Sequence, residues 1–187
     1  MDTKRKLLDA AAEVIERDGV AGFSTRSVCA IVGVGAPTLY HHFGSADGLL
    51  SAAFSDAFDQ FLARKSEHAT DPDPVKAMRE GWDDYVGFAG ERPGLYAAML
   101  ARVLSGAKIG AVTASFEHLA RQVHDVARSG RLAVPEAQAA QLAWGSVNAA
   151  AMLHVTAALG LSAQMTRADP SVIASIRDDM FDAISPS

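Results

Sequence analysis

Apolar residues recur at spacings of three and four along almost the whole chain, which is the periodicity of amphipathic α-helices. Near the N-terminus, Leu7, Leu8, Ala11, Val14 and Ile15 form one such stripe, which predicts a helix over residues 3–17. Further stripes predict helices over residues 25–32, 36–41, 45–65, 75–89, 94–104, 111–128, 135–159 and 170–184. The alternation typical of strands is not found. The pattern therefore predicts an all-α protein of about nine helices.

Glycine, proline and capping residues mark where these helices begin and end. Gly19 is predicted to stop the first helix, and Thr25 is predicted as the N-cap of the second. The sequence Gly33-Val34-Gly35 predicts a tight turn before the third helix. Residues 71–74, Asp-Pro-Asp-Pro, are the clearest break in the chain.

Composition narrows the class of protein. No apolar run approaches the roughly 18 residues that a membrane-spanning helix needs. A single cysteine, Cys29, excludes an internal disulfide and fits a reducing compartment, so we expect a cytoplasmic protein without membrane contact. The net charge is −5, of which residues 1–50 contribute five basic against six acidic side chains, or −1. Lys4, in the run Lys4-Arg5-Lys6, is the best candidate for phosphate neutralisation.

Residues 25–43 have the pattern of a helix-turn-helix. Val28, Ile31, Val34, Leu39 and Phe43 are spaced to share a small core with the first helix. A glycine-containing turn between two short helices is typical of this motif, which places its second helix in the DNA major groove. Many such hairpins bind no nucleic acid, so the pattern alone leaves a purely structural role open.

The residues from Leu8 through Gly19, Thr25, Val28, Gly33-Val34, Pro37-Thr38-Leu39-Tyr40, His42-Phe43 and Asp47 to Leu49 resemble the N-terminal domain of TetR-family transcriptional regulators. The resemblance implies an all-helical homodimer with a three-helix DNA-binding domain, here residues 1–46. It also implies a helical ligand-binding and dimerisation domain, here residues 47–187. Most members of the family repress transcription until a small molecule arrives.

Carried onto matching positions, the resemblance implies a set of DNA contacts. Thr25 and Arg26 would touch phosphate or a base edge, and His42 would lie near the DNA backbone. The groove-facing surface of the third helix would be formed by Ala36, Pro37, Thr38, Tyr40 and His41. Tyr40 could instead be a packing aromatic with its hydroxyl on a phosphate. His41 and His42 could be solvated residues that favour a helix C-terminus.

Three substitutions depart from the family pattern. Gly35 stands where serine usually caps the recognition helix, Ala46 stands where a lysine usually meets a phosphate, and Cys29 replaces an alanine. Residues 36–43 also contain no Arg, Lys, Asn or Gln, the strong readers of guanine and adenine. Arg26 is therefore the one strong guanine candidate. These departures also keep open an alternative function, a TetR-like dimer with weakened DNA binding that acts through protein partners.

The later helices carry aromatic and methionine residues at helical spacing. Such residues form either an ordinary core or an apolar pocket with a few polar groups that orient a ligand. The candidate ligand-binding residues are Trp82, Tyr85, Phe88, Tyr96, Met99, Phe116, Trp144, Asn148 and Met152. The effector would be a small, largely apolar molecule whose identity the sequence does not give.

Small residues along the long helix over 135–159 suggest a close helix–helix contact. The stripe consists of Ala139, Ala143, Ser146, Ala150 and Ala157. With the last helix it could form a four-helix interface between two subunits, or its alanines could pack inside one subunit. Neither domain has the spacing of a catalytic or metal site, so we expect no enzyme activity, no metal and no cofactor.

Overall fold

In a computed structural model, residues 2–65, 71–160 and 167–186 are described, and this part of the chain contains α-helices and no strand. Its helices are α1 (Thr3–Gly22), α2 (Thr25–Val32), α3 (Ala36–Phe43), α4 (Ala46–Lys65), α5 (Pro74–Glu91), α6 (Pro93–Leu104), α7 (Gly110–Arg128), α8 (Glu136–Ala158) and α9 (Pro170–Ile184). The all-α prediction, with an N-terminal helix-turn-helix, is confirmed. The limits of α2 and α9 are the predicted ones, and the other ends lie within two residues of prediction, except that α1 runs to Gly22 where residue 17 was predicted.

The helices divide between two compact units. The first unit combines Met1–Arg64 with Arg92–Thr113, and so contains α1 to α4 and α6. The second unit combines Lys65–Glu91 with Ala114–Ser187, and so contains α5, most of α7, α8 and α9. The first unit extends beyond the predicted DNA-binding domain, residues 1–46, because it also contains α4, and α6, which packs against α1.

The core of the first unit is built on α1. The side chains of Leu7, Ala11, Val14 and Ile15 are fully buried where α1 meets α2, α3 and α6. Gly19 interrupts the helix with φ 67° and ψ −177°, after which one further turn runs to Gly22. The predicted stop at Gly19 is thus a break in α1, since positive φ favours glycine.

The N-cap of α2 is Ser24 and corrects the prediction of Thr25. The Ser24 hydroxyl accepts a hydrogen bond from the Ser27 backbone N–H at 3.0 Å and lies 2.6 Å from the Ser27 hydroxyl. Thr25 is the first residue of the helix itself. Serine and threonine are both favourable N-cap residues, so capping propensity alone does not distinguish Ser24 from Thr25.

Three alanines of the α8 stripe lie inside the second unit, while Ser146 and Ala157 are half-buried. Ala139, Ala143 and Ala150 are fully buried, and α8 packs against α5 and α9. Their small side chains let neighbouring helices approach closely. Two roles were predicted for the stripe, and these three alanines pack within one subunit. A contact between subunits would therefore need another face of α8.

Candidate DNA interface and candidate effector site

Glycines set the turn between α2 and α3 and the end of α3. Gly33 has φ 74° and ψ 34°, and the carbonyl of Cys29 accepts hydrogen bonds from the N–H groups of Gly33 and Val34 at 2.9 and 3.1 Å. Gly44, with φ 72°, ends α3 by donating its N–H to the Tyr40 carbonyl at 2.8 Å. Both positions require a left-handed backbone, which side chains disfavour.

One face of α3 is buried and the opposite face is exposed. Leu39 is fully buried and fixes the helix to the core of the first unit. The exposed face carries four of the predicted DNA contacts, which are Ala36, Pro37, Tyr40 and His41. Thr38 and His42 are half-buried at its edges, and Tyr40 is 45% exposed. The structure therefore presents these residues as one surface that a groove could receive.

The ends of α3 differ in how they are stabilised. Gly35 is the N-cap and makes no side-chain hydrogen bond, so the predicted absence of a side-chain cap is confirmed. His41 and His42 lie in the last turn, with ring centroids 5.5 Å apart. Cationic side chains are favoured at a helix C-terminus, so both histidines suit that position.

Some basic side chains of this unit are exposed to solvent, and others form ion pairs within the unit. Lys4 and Arg26 are exposed, while Thr25 is half-buried at the start of α2. Arg5 forms ion pairs with Asp56 on α4 and, at 3.6 Å, with Asp9 on α1. The hydrogen bond with Asp56 raises the pKa of Arg5, so its charge is used within the unit.

Gly48, which sequence reasoning missed, sets the approach of α4 to α3. The Ser45 hydroxyl caps α4 by accepting from the Gly48 N–H at 2.9 Å. A Cβ at Gly48 would lie 2.1 Å from the carbonyl oxygen of Phe43, the last residue of α3. Its only sequence signal is a glycine in the first turn of a predicted helix, where a side chain is normally tolerated.

Glu16, also missed, joins α1 to α6. Its two carboxylate oxygens accept hydrogen bonds from the N–H groups of Gly94 at 3.0 Å and Leu95 at 2.7 Å. The N-cap of α6, Arg92, provides no side-chain cap, and its Nε lies 3.7 Å from Glu16. Glu16 therefore caps α6 from another helix, a contact that separated sequence segments do not reveal.

Within the second unit, part of the predicted ligand-binding set forms an aromatic cluster on α5, α7 and α8, namely Trp82, Tyr85, Phe116, Trp144 and Asn148. The Trp144 ring lies 5.7 Å from the Tyr85 ring and 5.5 Å from the Phe116 ring, between centroids. The Tyr85 hydroxyl is 3.5 Å from Asn148 Oδ1, and Asn148 Nδ2 donates to the Trp144 carbonyl at 2.7 Å.

The polar groups of the aromatic cluster are held by local partners. Trp82 Nε1 donates to the Ser146 hydroxyl at 2.9 Å, and that hydroxyl donates to the Ala143 carbonyl. Trp82 and Tyr85 are buried, whereas Phe116 is 42% exposed. The cluster thus combines aromatic surface with oriented amide and hydroxyl groups, as small-molecule sites do.

The remaining predicted ligand-binding residues lie elsewhere. Phe88 is buried on α5, and Met152 is half-buried on α8. Tyr96 and Met99 lie on α6 and are buried in the first unit. The predicted set is therefore shared between both units, with the aromatic cluster as its largest group in the second.

Metal-ligating groups do not gather in the described part of the chain, where no three His, Cys, Asp or Glu side chains could hold one ion. None of the helices in the described ranges combines the length and hydrophobicity of a bilayer-spanning segment.

Sequence comparison connects the N-terminal helices with known regulators. Residues 7–53 match the profile of the family "Bacterial regulatory proteins, tetR family". The chain is also similar to YobS, an uncharacterized HTH-type transcriptional regulator of Bacillus subtilis, with 29% identity over 101 residues. That match covers 54% of this chain and 53% of YobS, so the chain spans about half the length of this relative.

Solved structures share the whole fold. A protein of unknown function from Rhodococcus sp. RHA1 superposes with a TM-score of 0.77 at 22% identity, covering 100% of this chain and 97% of that one. A TetR family transcription regulator from Marinobacter aquaeolei VT8 gives a TM-score of 0.71 at 17% identity, covering 99% and 96%. At these identities the likeness establishes the fold.

Proposed function

We propose that this chain, whose residues 7–53 match the tetR family profile, is a TetR-family transcriptional regulator controlled by a small, largely apolar molecule. The observation that carries the proposal is the exposed face of α3, which is held to the core by the fully buried Leu39. A helix mounted in this way can enter a major groove. In this proposal the protein acts in the cytoplasm as a repressor, and the effector releases it from a palindromic operator.

In this proposal the protein recognises the operator sequence mainly through apolar contacts with the bases and through a few charged side chains. Ala36 and the ring of Pro37 would meet thymine methyl groups, and Thr38 would bond a base edge or phosphate. Arg26, exposed on α2, is the candidate for a bidentate contact with guanine. Lys4 would neutralise phosphate, while Arg5 is already engaged by Asp56.

We expect Arg26→Ala to remove a guanine preference at one position of each half-site. Losing a bidentate arginine contact costs about 1–3 kcal/mol, or roughly tenfold to a hundredfold in affinity. Binding-site selection from random DNA, followed by titration of the selected site, measures both quantities. Arg17→Ala is the matched control, because Arg17 is exposed on α1 and pairs with its neighbour Asp18 at 2.6 Å.

Two outcomes of that selection would count against the proposal. An Arg26→Ala variant with every base preference intact would remove the assigned role of Arg26. Absence of salt-dependent binding to any DNA would favour the alternative, a dimer that acts through protein partners, for which the uncapped N-terminus of α3 is the specific observation.

A two-fold operator requires two copies of the chain. Since three alanines of the α8 stripe are buried, the subunit contact would use the other face of α8 and the outer face of α9. Those faces expose Leu142, Gly145 and Ala149 on α8, and Val172 and Ser175 on α9. Sedimentation of a Leu142→Glu variant tests this arrangement, since the change would produce monomers.

The aromatic cluster is the proposed effector site. A ligand entering it would stack on Trp144 or Phe116 and compete for the hydrogen bond that Asn148 makes with the Trp144 carbonyl. Displacement of α5 would pass along the chain, because α5 ends at Glu91 and α6 begins at Pro93. Glu16 then links the start of α6 to α1 of the DNA-binding domain. Coupling of about 1–3 kcal/mol would follow if the effector favoured one arrangement.

The two tryptophans of the chain, Trp82 and Trp144, both lie in the aromatic cluster. We expect every compound that alters operator affinity to change the tryptophan emission of the protein as well. The change in operator affinity and the change in emission should occur over the same range of compound concentration. The affinity for the compound should fall about tenfold in Asn148→Leu, which removes an oriented polar group. Gln138→Leu, an exposed amide change on the same helix, is the control. A compound that releases DNA without changing emission would move the effector site elsewhere.

A further inference from the structure

A cleft of about 430 Å³ opens in the second unit between α5, α8 and α9. This volume lies within the range of small-molecule sites. Its apolar wall includes Val86 on α5, and Ile173 and Ala174 on α9. The residues of the aromatic cluster do not line it, so the cleft is a separate feature of the unit.

Arg177 forms one polar wall of the cleft. Its Nη1 donates to both carboxylate oxygens of Asp83 at 2.9 and 3.0 Å, and its Nε donates to Asp178 at 3.0 Å. Asp178 also pairs with Arg79, so these four charges balance. Within the described part of the chain, Arg177 Nη2 makes no hydrogen bond, which leaves its two N–H groups for a ligand.

Arg167 supplies a second guanidinium from the segment that precedes α9. Asp169, the nearest acid in sequence, is engaged as the N-cap of α9 and accepts from the Ser171 N–H and hydroxyl at 2.8 Å each. These hydrogen bonds hold the pKa of Asp169 below its usual range. Arg167 is exposed, and its charge also contributes to lowering the pKa of Asp169.

His154 lies on the α8 side of the cleft. Its ring packs against the backbone of Gly90, where an added Cβ would be 3.0 Å from Cε1. Burial lowers the pKa of His154, so the imidazole is neutral near neutral pH and can donate one N–H without adding charge. The cleft is therefore lined by guanidinium and imidazole donors, by the Asp83 carboxylate that Arg177 already holds, and by apolar side chains.

We propose that this cleft binds a small amphipathic carboxylic acid. Its carboxylate would be held by Arg167 and by Nη2 of Arg177, and its hydrocarbon part would lie along Val86, Ile173 and Ala174. Arginine suits this role because its planar donors match a carboxylate and are strong when charge-assisted. Binding there would stabilise the packing of α9 on α5, whether or not the protein regulates transcription.

Calorimetric titration of the full chain with sodium octanoate tests the site, and octanamide is the uncharged comparison. We expect one saturable site for octanoate and binding of octanamide that is weaker by about tenfold or more, the loss of one charge-assisted contact. Arg167→Ala should weaken the binding of octanoate by a similar factor. Ala174→Phe, which fills the apolar wall, should abolish binding.

Arg128→Ala is the matched control, because it removes an exposed arginine of the same unit outside the cleft and should leave octanoate binding unchanged. Helical content measured by circular dichroism verifies that each variant folds. Equal affinity for octanoate and octanamide, no saturable binding, or an Arg167→Ala variant that binds like the wild type would each overturn the proposal. None of these results depends on DNA binding, so they leave the proposed regulatory function separately testable.

Discussion

Gly48→Ala is expected to abolish tight operator binding while leaving the helical second unit folded. The new Cβ would lie 2.1 Å from the Phe43 carbonyl oxygen, a separation that real structures do not show, so the end of α3 or the start of α4 must move. Phe43 is the last residue of α3, and Tyr40 and His41 lie in the same last turn. Such a shift displaces the proposed DNA-reading face from the geometry set by Leu39.

Overpacking of this kind costs roughly 1–3 kcal/mol in the free energy of unfolding. Operator affinity should fall by at least about a hundredfold, because each displaced base contact costs roughly 1–3 kcal/mol and both half-sites are affected. Titration of selected operator DNA and thermal denaturation measure the two effects. Gly110→Ala is the control, since its Cβ would meet only the Ser55 hydroxyl at an ordinary 3.7 Å. Wild-type affinity in Gly48→Ala would show that the α3–α4 junction does not position the recognition helix.

Local signals in the sequence predicted the helices well. The spacing of apolar residues such as Val28 and Leu39 predicted α2 and α3, and Gly19 indicated the position at which α1 is interrupted. Asp169 and Pro170 located the start of α9, where the Asp169 side chain caps the helix. These signals act within a few residues, so they can be read without knowledge of the tertiary structure.

Contacts between distant segments could not be predicted in the same way. An alanine stripe permits close packing against any helix, and periodicity did not show that Ala139 and Ala143 face the interior of their own unit. The candidate DNA surface was predictable because one short helix carries it. The predicted effector residues do not all lie together in the structure, because helical spacing does not say which helices meet. Tyr96 therefore lies in the first unit and Trp144 in the second.

Glu16→Ala is expected to loosen α6 from the DNA-binding domain. The Glu16 carboxylate accepts from two N–H groups in the first turn of α6, which has no side-chain cap of its own. A negative group at this position also interacts favourably with the helix dipole. Removal of a cap costs about 0.5–2 kcal/mol, and the lost hydrogen bonds to a charged group place the expected destabilisation near the upper end.

Glu16→Gln separates the contributions of charge and shape. The amide keeps one acceptor oxygen and presents NH₂ to the second donor, so we expect a loss of stability intermediate between the wild type and Glu16→Ala. Glu13→Ala, which removes an exposed carboxylate one turn earlier on α1, should leave the stability nearly unchanged.

Gly94→Ala provides an independent way to loosen α6 from α1, because its Cβ would lie 2.5 Å from the Glu16 carbonyl oxygen and force the two helices apart. If α6 transmits the effector signal, both Glu16→Ala and Gly94→Ala should bind operator yet release it less completely when a compound that releases the wild type is added. Full release in both variants, measured at saturating compound, would show that the signal reaches α1 by another route.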